Sequence, residues 1–157
     1  MSTVQIPPPV LFRPYRPADE GATLQLFRSN IDPYFLPAEA AELRDFLTQT
    51  PSYFVAEGVP GSAVAGQLLA AGGYALNEQY AVLTWGMVAR SWHGRGLGRT
   101  FTQFRLAACQ QAYPGVSIEL NTSQHTAGFY EKLGFRILGV QPDGWGPGLH
   151  NVHMLLD

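Results

Sequence analysis

Charged residues are scarce in this chain. They make up 14% of its 157 residues, and the formal net charge is -2, whereas soluble domains usually devote about a quarter of their residues to charge. No broad basic surface is predicted that would hold nucleic acid or an anionic membrane, so any bound anion needs a local site. The same scarcity favours a self-association face, and we expect a homodimer formed through the final strand, residues 150–157.

Cysteine, long apolar runs and metal-ligand spacings are also missing. The single cysteine, Cys109, excludes an internal disulfide and is interpreted as a small buried residue. No cluster of histidine, cysteine and aspartate has the spacing of a metal site, so none is predicted. No apolar run reaches about 18 residues, and the N-terminus lacks a signal-peptide layout. We therefore expect a cytoplasmic protein.

The length and the 46% of hydrophobic residues are typical of one globular domain. Three consecutive prolines predict a flexible N-terminal arm over residues 1–10, which leaves residues 11–157 as a single domain.

Hydrophobic periodicity predicts a mixed α/β fold. Helices are expected near residues 18–31, from Pro37, over 97–112 and over 124–133. Strands are expected at residues 11–16, 52–57, 63–76, 80–89, 116–121, 135–140 and 150–157, with a long turn at 142–148. Tight turns between the early strands favour an antiparallel meander.

Three glycines alternate with other residues where a predicted strand meets a predicted helix. They are Gly94, Gly96 and Gly98, with Arg95 and Arg99 among them. A helix N-terminus has unpaired N–H groups and partial positive charge, and glycines let an anion approach the backbone. The loop matches neither the P-loop nor the dinucleotide fingerprint. A phosphate or pyrophosphate site and a tight structural turn both remain open from this segment alone.

A second motif lies one predicted strand downstream. FYEKLGF, residues 129–135, follows the HGRGLG loop in the order seen in the GNAT superfamily of acyl-CoA-dependent N-acyltransferases, which this chain resembles over residues 82–135. The resemblance implies a central, mostly antiparallel sheet that splays at the strand before the loop, with helices on both faces. It also implies acetyl-CoA as cosubstrate, no metal, and transfer of an acetyl group to the amine of a small molecule or peptide.

The resemblance assigns roles to particular residues. The open edge of the strand before the loop, at Met87, Val88 and Ala89, would pair with the pantetheine arm, and Tyr130 would protonate the coenzyme A thiolate. The loop that would hold the pyrophosphate comprises His93, Gly94, Arg95, Gly96, Leu97, Gly98, Arg99 and Thr100. A phenol suits proton donation because it is protonated at neutral pH.

Two positions depart from the family pattern. His93 stands where glutamine or arginine usually opens the loop, so coenzyme binding could vary with pH near 6.5. Ser123 stands where an asparagine often meets the cofactor arm. Ser123 can bind the cofactor, and it equally suits the start of a helix.

The sequence leaves the general base open, because the strand before the loop contains no carboxylate. Glu119, on the next strand, is our hypothesis for the base. The other candidates are His125, His150, His153, Asp143 and a chain of water molecules. Segments 29–37 and 142–150 combine aromatic and turn residues, which favours them as walls of the acceptor pocket.

Two other classes of function remain open at this point. The domain could bind acyl-CoA as a sensor or interaction module without turning it over. It could also bind the phosphate of another nucleotide.

Overall fold

The structure is a computed structural model that describes residues 9–49 and 52–157. Four helices lie on a seven-stranded sheet: α1 (Glu20–Ser29), α2 (Ala40–Leu47), α3 (Leu97–Ala112) and α4 (Ala127–Glu131). The strands are β1 (Val10–Pro14), β2 (Tyr53–Gly58), β3 (Leu68–Asn77), β4 (Tyr80–Val88), β5 (Ile118–Thr122), β6 (Arg136–Gly146) and β7 (Leu149–Leu156). Short 3-10 turns precede α1 and α2 and follow β4.

The sheet order is β1-β2-β3-β4-β5-β7-β6, and only the β4–β5 pair is parallel. The predicted antiparallel meander of β2, β3 and β4 is confirmed. A tight turn at Glu78 reverses the chain between β3 and β4, whereas residues 59–67 form a longer connection between β2 and β3.

Helices cover both faces of the sheet, as expected. Successive residues of a strand point to opposite faces. Val55 therefore packs with the cluster that includes Phe27 of α1 and Leu43 of α2, whereas Ala56 packs with Phe101 of α3. A third cluster joins α3 and α4 to β5 and β7.

Two strands, β3 and β6, differ from the predicted layout. Strand β3 begins only at Leu68, and the N-terminal arm predicted for residues 1–10 lies outside the described residues except at positions 9 and 10. The predicted long turn at 142–148 is wrong, because β6 continues to Gly146. Asp143 has a φ of 54° where the register with β7 shifts, so these turn residues form an irregular part of a strand.

The final strand does not offer a free edge for self-association. β7 is paired with β5 on one side and with β6 on the other. The edge strand beside β7 is β6, where Ile137, Leu138 and Val140 are exposed, and β1 forms the opposite edge of the sheet. Within the described part of the chain, no helix is both long and apolar enough to span a membrane.

Candidate active site

The two parallel strands at the centre of the sheet separate soon after they meet. β4 and β5 pair only at Ala81 with Ile118 and at Val82 with Glu119, although β4 continues to Val88. The separation opens a cleft of about 860 Å³. The predicted splay is therefore present, and it leaves the end of β4 without a strand on one side.

The open edge of β4 carries the backbone groups of Val88. The N–H of Ala89 donates to Leu69 of β3 at 2.8 Å, and strand alternation directs the groups of Val88 to the other edge. Accordingly, the Val88 carbonyl accepts from Asn30 Nδ2 at 2.8 Å and from His93 Nε2 at 2.9 Å. Met87 and Val88 line the cleft. Ala89 is anchored to β3 through its N–H.

The glycine loop forms a tight entry into α3. Gly94 and Gly96 have φ values of 75° and 85°, which side chains resist, and Gly96 caps α3 without a side chain. The first N–H groups of α3 therefore have no side-chain cap and face the loop. Gly98 lets α3 lie close to Phe129, because a Cβ added at Gly98 would be only 3.5 Å from the phenyl ring. This arrangement fits a diphosphate group.

The charged and polar residues of the loop differ in position. Gly94, Gly96, Gly98 and Arg99 line the cleft, whereas the Arg95 guanidinium stacks 4.6 Å from the Trp92 ring centroid. Leu97 is buried in the core, so only its backbone is available to a ligand. Thr100 donates to the Gly96 carbonyl at 3.1 Å.

His93 binds the protein's own backbone. A carbonyl oxygen only accepts, so the 2.9 Å contact with Val88 places the hydrogen on Nε2. The ring also lies edge-on to Tyr34, with 5.2 Å between centroids. The second nitrogen, Nδ1, is an acceptor in the neutral ring, so it would donate to a phosphate oxygen only in the imidazolium form.

Tyr130 and Ser123 lie on the opposite wall of the cleft. Tyr130 is half-buried, edge-on to Phe129 and Phe135. Ser123 Oγ accepts from the His125 N–H at 3.2 Å, at the turn that leads into α4. Helix α4 begins only at Ala127, so the predicted helix start at Ser123 is wrong. Ser123 supports the preceding turn and borders the cleft, and its contact with the cofactor stays a prediction.

The floor of the cleft includes a buried arginine that the sequence analysis did not single out. Arg105 of α3 is 1% exposed. Its Nη2 donates to the carbonyls of Gly73 and Thr84, each at 2.9 Å, and Nε donates to Gly73 at 3.3 Å. The sequence did contain a sign of this burial: Arg105 is four residues from both Phe101 and Cys109, which places it on the buried face of α3.

The far end of the cleft is acidic and aromatic. Trp85 has a φ of 39° at a bulge in β4 and lies beside Phe35 and Phe46, with centroids 6.0 and 6.3 Å away. Glu39 and Glu42 line the same cleft. Glu39 is 6% exposed, and burial raises the pKa of its carboxyl, although Oε2 accepts the Leu36 N–H at 2.8 Å.

Glu119 lies beside the cleft and does not line it. Its carboxylate is 3.4 Å from His153 Nε2 on β7. His153 borders a smaller hollow of about 370 Å³, and Asn121 lines both spaces. Glu119 and Tyr130 are therefore not brought together in one cavity.

The other candidates for the general base lie in two different places. His125 lines the cleft. His150 and Asp143 hold the β6–β7 connection, since His150 Nδ1 accepts the Asp143 N–H at 3.0 Å and Asp143 Oδ1 accepts the Gly148 N–H at 2.8 Å. The predicted acceptor walls reach the cleft through Asn30, Tyr34, Phe35 and Trp145.

Comparisons with known proteins agree with this architecture. Ard1 from Thermoplasma volcanium superposes with a TM-score of 0.75 at 18% identity, covering 94% of this chain and 96% of that one. The ribosomal-protein-S18-alanine N-acetyltransferase from Escherichia coli has a TM-score of 0.71 at 16% identity, over 94% and 92% of the chains. An aminoglycoside 6'-N-acetyltransferase complexed with coenzyme A has a TM-score of 0.68 at 18% identity, over 92% and 95%.

At these identities the structural likeness establishes the fold. None of the curated protein sequences matches the chain significantly. The model of the acetyltransferase (GNAT) domain family matches residues 44–157, which is most of the chain and includes both motifs. This chain therefore belongs to the GNAT family of acetyltransferases.

Proposed function

We propose that the protein transfers an acetyl group from acetyl-CoA to a primary amine by direct attack in a ternary complex. The observation that carries this proposal is the meeting of three features in one cleft: the open edge of β4, the uncapped N-terminus of α3 and the Tyr130 phenol. Membership of the family and the coenzyme A complex of a related fold support the choice of cosubstrate.

The cosubstrate would extend from the glycine loop along β4. The backbone from Gly94 to Thr100 and the Arg99 side chain would hold the diphosphate, because N–H groups and a guanidinium both donate to phosphate oxygens. The pantetheine amides would pair with the open strand edge. The Val88 N–H would then donate to the thioester oxygen as negative charge develops on it.

Bound acetyl-CoA supplies the acetyl group: the amine nitrogen attacks the carbonyl carbon, the C–N bond forms, and the C–S bond breaks with its electrons on sulfur. Tyr130 would donate the proton that the departing sulfur takes up. A covalent acyl-enzyme is disfavoured, because Cys109 is 1% exposed and is not among the residues that line the cleft.

The acceptor would enter from the acidic and aromatic end. Glu39 and Glu42 favour the approach of a cationic ammonium group, and Phe35, Phe46 and Trp85 favour an apolar substituent next to it. The negative charge of these two glutamates is opposite in sign to the positive charge at the Arg99 end of the cleft. A small molecule or a peptide N-terminus with an apolar side chain matches the combination.

Two carboxylates are the proposed bases for the amine proton. Glu39 lies in the cleft and has a raised pKa because of burial, which suits proton acceptance. Glu119 would act through His153 or water across Asn121. If Glu39→Gln abolishes the acidic limb of the pH–rate profile and Glu119→Gln retains it, Glu39 is the base. The reverse result would assign Glu119 as the base.

Calorimetric titration with acetyl-CoA, coenzyme A and ATP tests the function first. We expect binding of both coenzyme forms and no binding of ATP, followed by thiol release with a panel of aralkyl and alkyl primary amines. Tyr130→Phe should lose turnover and keep binding. Binding without turnover by the wild-type protein would instead support a sensor, and ATP binding would support another nucleotide site.

A further inference from the structure

The carbonyl oxygen of Val88 lies on the open edge of β4, where the pantetheine arm would pair, but it already has two partners. Asn30 Nδ2 donates to it at 2.8 Å, and His93 Nε2 donates to it at 2.9 Å. A backbone carbonyl oxygen has two lone pairs, so these two donors fill its accepting capacity. A pantetheine N–H can therefore pair with this oxygen only if one of the two side chains leaves it.

The two donors are held very differently. Asn30 is 3% exposed, and its Nδ2 also donates to the Leu26 carbonyl of α1 at 2.9 Å. Moving this amide would leave buried polar groups without partners, which is costly. His93 is half-buried, opens the glycine loop and lines the cleft. A side-chain rotation toward solvent is a common response to a ligand, so His93 is the donor that can leave the oxygen.

In this position the neutral His93 ring does not donate to a diphosphate. Its one hydrogen is on Nε2 and points at the Val88 carbonyl, so Nδ1 presents a lone pair. Phosphate oxygens are acceptors too, and they gain nothing from a second acceptor. The contact with Val88 thus places His93 at the strand edge and not among the donors of the diphosphate site.

We propose that the His93 imidazole is a displaceable cover for the strand edge that binds acetyl-CoA. It occupies the Val88 carbonyl until a pantetheine N–H replaces it, so the affinity for acetyl-CoA is reduced by the hydrogen bond that breaks. Such a cover also keeps the open backbone groups of β4 from pairing with another chain. This inference rests on the proposed function, and it adds a residue that tunes the affinity of the cosubstrate site.

Substituting phenylalanine for His93 removes the N–H donor and keeps a ring beside Tyr34, whose centroid lies 5.2 Å from that of His93. By calorimetry, we expect His93→Phe to bind acetyl-CoA and coenzyme A about three to ten times more tightly than the wild-type protein, the effect of one neutral hydrogen bond. KM for acetyl-CoA should fall by a similar factor, while kcat should stay within about twofold. A purely structural contact would not raise the affinity when it is removed.

Tyr80→Phe is the matched control, because it also removes one hydrogen-bonding group from an aromatic ring. The Tyr80 hydroxyl accepts from Asn77 Nδ2 at 3.1 Å where β3 turns into β4, and Tyr80 is not among the residues that line the cleft. This variant should keep the wild-type affinity for both coenzyme forms.

The His93 ring of the wild-type protein provides a second measurement, which also serves if His93→Phe does not fold. Long-range proton–nitrogen NMR spectra identify the ring nitrogen that carries the hydrogen. We expect the Nε2 proton to be observed at neutral pH, because its hydrogen bond slows exchange with water. The signal should be lost when coenzyme A saturates the protein.

The outcomes are distinct for the two proposals. An equal or weaker affinity of His93→Phe for acetyl-CoA, or a Nε2 proton that persists with coenzyme A bound, would overturn the role of His93 and leave the acetyltransferase intact. A wild-type protein that binds neither acetyl-CoA nor coenzyme A would overturn both.

Discussion

Replacing Gly72 with alanine tests how firmly the structure holds the buried guanidinium. The new Cβ would lie 2.7 Å from the guanidinium carbon, 2.8 Å from Nε and 3.0 Å from Nη1 of Arg105. The end of a flexible side chain normally moves away from such a contact. Here it is held by hydrogen bonds to Gly73 and Thr84, so it moves only by weakening them.

The expected change in the free energy of unfolding is the difference between two opposing effects. Loss of hydrogen bonds to buried carbonyls, or strain in their place, costs about 1 to 3 kcal/mol. Alanine gains about 0.4 to 1 kcal/mol by restricting the unfolded chain, since Gly72 does not have a positive φ. We therefore expect Gly72→Ala to lower the free energy of unfolding by about 1 to 2 kcal/mol, and the melting temperature by about 5 °C.

Thermal unfolding followed by circular dichroism measures this effect. Gly21→Ala, in the exposed part of α1, should raise the melting temperature, because it gains the helix preference of alanine without a clash. In an Arg105→Met background the penalty of Gly72→Ala should largely disappear, since the flexible methionine lacks the hydrogen bonds. A Gly72→Ala protein as stable as wild type, or an equal penalty in both backgrounds, would refute the reasoning.

Four other changes have expected outcomes. Hydrogen bonds from Arg13 hold the pKa of Asp19 below its usual 3.8. The stability that they contribute is therefore present above that pH and is lost as the pH falls below it. On acidification, the melting temperature of Asp19→Asn should fall less than that of the wild-type protein. Arg99→Ala should weaken acetyl-CoA binding about tenfold by calorimetry, and unchanged affinity would contradict its place at the diphosphate. Burial raises the pKa of the Cys109 thiol, so a disulfide reagent should label it slowly until the protein unfolds. Glu39→Gln should raise the melting temperature at pH 7, because it removes a charge that burial disfavours and keeps an acceptor for the backbone; a lower melting temperature would oppose this.

Much of the fold could be predicted because its signals are local. The start of α3 follows from glycines that leave the chain free to turn and from an apolar face that begins at Leu97. The early strands follow from short turns between alternating segments. Strand β6 was cut short in the prediction because Pro142, Asp143 and Gly144 are typical of turns, yet a register shift against β7 accommodates them within the strand.

Only those parts of the candidate site that belong to a sequence motif could be predicted. The glycine loop and Tyr130 belong to contiguous segments, and the structure brings both to one cleft. Glu119 was selected for its nearness in sequence to the splay, but the side that a strand residue faces depends on its partners. Its carboxylate meets His153 of β7 instead of the cleft.

By itself, the sequence determined the family, the glycine loop at the start of α3 and the order of the elements, because these depend on spacing along a single segment. Only the tertiary structure decided which distant groups share a space. Arg105 of α3 and Gly86 of β4 line the cleft, Gly72 of β3 contacts Arg105 from outside it, and Glu39 reaches the cleft from the turn before α2. Their juxtaposition follows from strand register and helix packing, which no single segment encodes.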